Sequence, residues 1–207
     1  MRRLSTILLS SIVAFGLMAM VGCDSSSVED GTMNVQMTDA SGSTTTNSVS
    51  TDSHVAGDLE SALVTITEIS VTPAEEGETE SDAERVVLSQ ENFDVDLVDL
   101  NAGIDTTISD LNIPAGDYGQ IRLSTSGDVA ITFSNGDENT AMIASEELKL
   151  NFEEPVTVNS ADDLVDVTVD WNVENSLEGN LGEAQLVITP AVDASATVTS
   201  IDEQPQN

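Results

Sequence analysis

The sequence predicts an all-β chain, an antiparallel β-sandwich of about 8–10 short strands behind a cleaved N-terminal signal. Three observations carry that expectation. Apolar residues recur at every second position in five separate runs, which places one face of each run in a core and the other in water. Glycine, proline and asparagine clusters divide the runs at the places where a chain must reverse. No stretch of the mature chain sustains the 3.6-residue apolar period of a long amphipathic helix. A length of 207 residues with 39% hydrophobic content is enough for one domain with a sizeable core.

The chain opens on an address. Arg2 and Arg3 precede an apolar run from Ile7-Leu8-Leu9 to Met18-Ala19-Met20, closing on Val21-Gly22-Cys23 and the polar Asp24-Ser25-Ser26-Ser27. The run is interrupted by Ser10 and Ser11 and falls short of the ~20 apolar residues of a membrane span, so residues 1–22 read as a signal peptide. Its ending resembles a bacterial lipobox, although Met20 stands where leucine is usual. The resemblance implies that the Cys23 thiol receives diacylglycerol and that Cys23 becomes the N-terminus. One acyl chain binds a membrane marginally, whereas the three of a mature lipoprotein anchor it stably. The expected location is therefore the cell envelope, on the extracytoplasmic side, with the membrane as a partner through the lipid. Residues 23–31 form the lipidated cysteine and a polar tether.

The domain is expected over residues 32–201. Strands are predicted at Met33, Val35 and Met37; at Ala62–Val71; at Arg85–Leu88; at Phe93, Val95 and Leu97; and at Gly119–Ser124. Further strands follow at Val129, Ile131 and Phe133; at Leu148, Leu150 and Phe152; along Val165–Val173; at Ala184–Thr189; and at Thr197–Ile201. Ser134-Asn135-Gly136-Asp137 predicts a type I′ hairpin, because Asn and Gly tolerate positive φ. Pro114-Ala115-Gly116-Asp117 predicts a second tight turn, leading into Tyr118. Ser41–Ser53 and the acid-rich Pro73–Glu84 read as exposed loops, and 202–207 as a disordered tail. Short strands in two layers imply a sandwich of the immunoglobulin-like or prealbumin-like kind.

Charge removes whole classes of function. All 38 acids lie after the cleavage site, against only Arg85, Arg122 and Lys149, so the mature chain carries −35. Nucleic acid is excluded as a partner, since phosphates need cations to replace their counterions. One Cys and one His leave no set for structural zinc, haem or an iron–sulfur centre. The acid excess is similar to that of proteins from high-salt organisms, where molar salt shortens the Debye length to about 3 Å.

Few residues are left to do chemistry. His54, the one histidine, lies in a Ser/Thr/Asp-rich stretch and reads as an exposed loop residue rather than a triad base. The mature aromatics Phe93, Phe133, Phe152 and Trp171 share parity with aliphatic neighbours and read as core. Tyr118 reads as a corner residue bonding to backbone, with a sugar-stacking platform as the sharper alternative. Arg122 reads as a structural ion pair, with an anion clamp as its alternative. Tyr118 and Arg122 are thus the ligand-binding candidates. For a hard cation such as calcium, Asp137 with Glu138 and Asp162 with Asp163 are the candidate ligands, though neither pair fits the spacing of the twelve-residue calcium loop.

The run Ser109-Asp-Leu-Asn-Ile-Pro-Ala-Gly-Asp-Tyr-Gly-Gln-Ile-Arg-Leu123 resembles a recurring segment of the bacterial family catalogued as domain of unknown function 4382. Gly31–Ala40, Ala62–Val71, Phe93–Leu97 before a loop, Val165–Trp171 and Leu186–Pro190 agree with that family in order, over roughly residues 31–195. The resemblance implies a secreted or lipid-anchored β domain and supplies no catalytic residue. The expected function is a non-enzymatic, lipid-anchored binding or structural module, without cofactor and with protein or glycan partners open. The alternatives are a carbohydrate-binding or adhesion module, calcium-stabilised in one version, and less favourably a hydrolase.

Overall fold

The computed structural model describes residues 30–39, 59–74, 85–173, 176 and 186–200. Cys23, the signal peptide, most of the tether, His54, the acid-rich loop and the tail lie outside them.

The described residues are mostly β and form two packed sheets with no closed barrel. The strands are β1 (Gly31–Thr38), β2 (Leu59–Pro73), β3 (Val86–Ser89), β4 (Phe93–Asp96), β5 (Thr106–Ile113), β6 (Gly116–Phe133), β7 (Glu138–Ile143), β8 (Glu147–Val158), β9 (Asp163–Trp171), β10 (Leu186–Ile188) and β11 (Val192–Ser200). A short helix, α1 (Leu97–Asn101), follows β4. The small sheet has the order β11-β9-β1-β5. The large one runs β10-β7-β6-β2-β3, with β4 also on β2 and β8 also on β6.

The sheets are mixed, which corrects the antiparallel expectation. β1 runs parallel to β9, and β10 parallel to β7. Alternation reports which face a residue occupies and is blind to strand direction, so no run could have signalled this.

Inner faces of both sheets supply the core. Met33, Val35 and Met37 of β1 meet Val165, Val167, Val169 and Trp171 of β9 in one layer, all buried. Ala62, Val64, Ile66, Ile69 and Val71 of β2, with Ile121, Leu123, Val129 and Ile131 of β6, line the other. Each Val, Leu, Ile or Met side chain among them stabilises the fold by about 1.5–3 kcal/mol when removed from water.

Three local differences from expectation have physical causes. Gly119–Ser124 and Val129–Phe133 are one strand, because Ser124-Thr-Ser-Gly-Asp128 is where β6 exchanges β8 for β7 as neighbour, not where it turns. Gly127 takes φ +82° there, and Thr125 N–H donates to the Glu146 carbonyl at 2.8 Å. β5 was hidden because Asp110 sits at φ +61° in a bulge opposite Asn34, which breaks the two-residue period between Ile108 and Leu111. Leu97 begins α1 rather than ending a strand, since the Asp96 carboxylate accepts from Val98 N–H at 2.9 Å and from Ala62 N–H at 3.0 Å.

The hairpin after β6 also differs in type. Gly136 is left-handed at φ +86° and Asn135 is not, while Gly136 N–H donates to the Phe133 carbonyl. This is a three-residue turn ending on a left-handed glycine, not a type I′ pair.

Candidate functional site

Three strands of the large sheet place a polar grid on its outer face. Pairing aligns Glu68, Ser124 and Glu147 in one row, Ser70, Arg122 and Lys149 in the next, and Thr72, Gln120 and Asn151 in a third. The rows cross β2, β6 and β8, whose opposite faces carry Ile69, Val71, Ile121, Leu123, Leu148 and Leu150 into the core. Alternation along each strand therefore produces the grid and the core together.

Charge converges on one carboxylate in that grid. Glu147 Oε1 lies 3.2 Å from Arg85 Nη1 and 3.7 Å from Arg122 Nη1, and its Oε2 lies 3.7 Å from Lys149 Nζ. Arg85 Nη2 also sits 3.4 Å from Glu68 Oε1. The only Lys and Arg of residues 24–207 thus meet in one network, in which two carboxylates face three cations and one positive charge is left over. Arg122 is the least exposed of the three, at 20% against 43% for Arg85 and 53% for Lys149. Exposed pairs of this kind contribute about 0–1 kcal/mol each, so the network's chemistry outweighs its stabilisation.

Arg122 commits only part of its donor fork. Its Nε donates to Gln120 Oε1 at 2.6 Å, and Gln120 Nε2 donates onward to Asn151 Oδ1 at 2.7 Å. Beside it, Ser70 Oγ and Thr72 Oγ1 are buried and have no hydrogen-bond partner. An unpaired buried hydroxyl costs about 1–3 kcal/mol, which marks this face as unusual. Sequence reasoning singled out Arg122 but missed Ser70, Thr72, Arg85, Glu147 and Lys149. Only the scarcity of cations hinted that they might gather.

Tyr118 lies apart from the grid. Its ring is 3% exposed, and its hydroxyl donates to the Pro114 carbonyl at 2.8 Å across the turn joining β5 to β6. Burial first, and then the Asp30 carboxylate, push its phenol above the usual range. Trp171 is fully buried, and its Nε1–H donates to Ser176 Oγ at 3.0 Å. Neither ring presents a face on which a sugar could stack.

The acid pairs serve local structure. Asp137, exposed after the β6–β7 hairpin, accepts from Asn135 Nδ2 at 2.8 Å, and Glu138 is exposed at the start of β7. Asp162 is exposed, whereas Asp163 is buried and accepts from Ser200 Oγ at 2.6 Å, Asn159 N–H at 2.7 Å and Ser160 N–H at 3.2 Å. The Ser200 hydroxyl above all, with these backbone donors, holds the Asp163 carboxyl below its ordinary value. Among the described residues, no three Asp, Glu, His or Cys side chains are grouped to hold a metal ion.

A family model described as Domain of unknown function (DUF4382) matches residues 30–190, which span every strand from β1 to β10. No curated protein and no solved structure matches the chain.

Proposed function

The chain belongs to the DUF4382 family, and from that premise we propose that it is a non-enzymatic, lipid-anchored protein of the bacterial cell envelope. It works there as an extracytoplasmic binding or structural module. The observation that carries this reading is the N-terminal sequence: Arg2-Arg3, an apolar run, Val21-Gly22-Cys23, and a polar tether that reaches β1 within eight residues of the cysteine. A tether that short keeps the domain close to the membrane surface. The balance of −35 on residues 24–207 supports a high-salt setting, in which dense counterions screen the repulsion between acids. The finer fold we infer is an immunoglobulin-like or prealbumin-like sandwich, supported by the buried Trp171 and by the corner that Tyr118 closes onto Pro114.

Replacing Cys23 with Ser tests the anchor. The expected result is release of the protein from membranes together with loss of acyl labelling. Membrane association unchanged in Cys23→Ser would overturn it.

A further inference from the structure

We propose that the row Ser70–Arg122–Lys149, with Thr72 beside it, is a binding site for a tetrahedral oxyanion, a phosphate or sulfate group. This deepens the binding-module reading by naming a ligand class, and it does not depend on the lipid anchor.

Donors and charge both point to such a group. Of Arg85, Arg122 and Lys149, which are the only Lys and Arg of residues 24–207, two lie in this row and Arg85 pairs with Glu68 and Glu147 of the row beside it. The Nη1 of Arg122 is 3.7 Å from Glu147, beyond hydrogen-bond range, so most of its fork is uncommitted after Nε bonds to Gln120. A guanidinium fork matches the oxygen spacing of an oxyanion and binds it with charge-assisted hydrogen bonds. On the adjacent strand, the buried Ser70 and Thr72 hydroxyls hold donors with no partner. These donors neighbour Arg122 from β2 while Lys149 neighbours it from β8, so donors stand on both sides of the guanidinium. That arrangement suits a tetrahedral group better than a planar carboxylate.

Glu147 is then the competitor. It occupies the cations in the unliganded chain; an arriving oxyanion takes Arg122 from it, and the Ser70 and Thr72 hydroxyls, closed to solvent in this structure, donate to the anion once the side chains over them shift. The acid-rich remainder of the chain opposes the approach of any anion over a distance, and about 1 M NaCl confines that opposition to roughly 3 Å.

The test is calorimetric titration of the full chain in about 1 M NaCl with sodium phosphate, sodium sulfate and, as the planar control, sodium acetate at matched ionic strength. Saturable one-site binding of phosphate or sulfate is expected, the tighter of the two identifying the natural group, with acetate weaker by about tenfold or more. Arg122→Gln and Ser70→Ala should each weaken binding about tenfold, while Glu147→Gln should tighten it several-fold by removing the competitor. Lys149→Gln, at an exposed position, keeps the question answerable if Arg122→Gln does not fold. The proposal is overturned if neither wild type nor Glu147→Gln binds phosphate or sulfate. Acetate binding as well as either anion, or affinity indifferent to both Arg122→Gln and Lys149→Gln, would overturn it equally. Each of those results leaves the Cys23 anchor untouched, just as retention of Cys23→Ser on membranes would leave this site standing.

Discussion

The phenol of Tyr118 reaches back four residues to the carbonyl of Pro114, and that 2.8 Å bond spans the turn by which the chain leaves the small sheet for the large one. The ring fills the corner while the hydroxyl satisfies a carbonyl that no ladder can reach. Tyr118→Phe keeps the ring and removes the bond, so it should lower unfolding stability by about 0.5–1.5 kcal/mol. Tyr118→Ala should lower it by about 3–5 kcal/mol. Denaturant midpoints at constant slope would measure both.

The same residue gives an alkaline signature. Its phenol titrates above 10.0 in the folded chain, so the stability it contributes is intact below the unfolded value and declines as pH rises from there through the folded value. Because Tyr118 is the only tyrosine, absorbance near 295 nm should follow that one ionisation, delayed in the native protein relative to the chain in denaturant. Coincident curves would contradict the burial described for the ring.

Ser176 should be intolerant of substitution. Its hydroxyl accepts from Trp171 Nε1–H at 3.0 Å and from Ala191 N–H at 3.0 Å, and donates to the Asn172 carbonyl at 2.7 Å. Ser176→Ala leaves the buried indole N–H and the half-buried Ala191 N–H unpaired and should cost about 1–3 kcal/mol. Trp171 is the only tryptophan, so its emission would report whether water enters with the loss.

At acid pH, Asp163 governs the turn between β8 and β9. Its carboxyl is held below 3.8, so its contribution is present above the unfolded value and is lost as pH falls through the lower folded value. Asp163→Asn should reduce stability at neutral pH by about 1.5–3 kcal/mol, the range for hydrogen bonds to a charged acceptor, and the gap from wild type should close below about pH 4. Thermal melts of both proteins across pH 2–7 (approximate limits set by carboxylate titration) would show whether the gap narrows.

Gly31 admits no side chain. A Cβ there would lie 2.9 Å from the Asp163 carbonyl oxygen, 2.9 Å from Val158 Cγ1 and 3.2 Å from the Ser160 carbonyl oxygen. Gly31→Ala should destabilise by about 1–3 kcal/mol, since two of the three obstacles are backbone. Asp110→Gly should act in the opposite sense, by up to about 1 kcal/mol, because it relieves the left-handed φ of +61°. A melting temperature at or above wild type for Gly31→Ala, or below wild type for Asp110→Gly, would refute the respective assignment.

The runs with unbroken alternation were legible. Met33–Met37 and Val165–Trp171 became β1 and β9 because every second side chain enters the core. β7 was not legible, since only Ala141 and Ile143 of its six residues face inward and the pattern is too short to register. The Tyr118 corner could be anticipated because proline, glycine and tyrosine act within five residues of one another. The polar grid could not, because its three rows join residues about 80 positions apart through a register that depends on bulges in β2 and β6. Adjacency pairs Asp163 with Asp162 as a cation ligand, yet Asp162 is exposed in the turn before β9 while Asp163, the first residue of β9, is buried and spends its oxygens on Ser200, Asn159 and Ser160.

The first strand of the domain lies inside the small sheet, between β5 and the parallel β9. The order in which the chain is made is therefore not the order in which this layer can be completed. β1 must remain without one of its neighbours until the last third of the sequence is available, and the loop closed by that pairing is among the longest the chain allows. A truncation ahead of β9 consequently injures the beginning of the fold as much as its end, stripping Met33, Val35 and Met37 of the row of valines beside them.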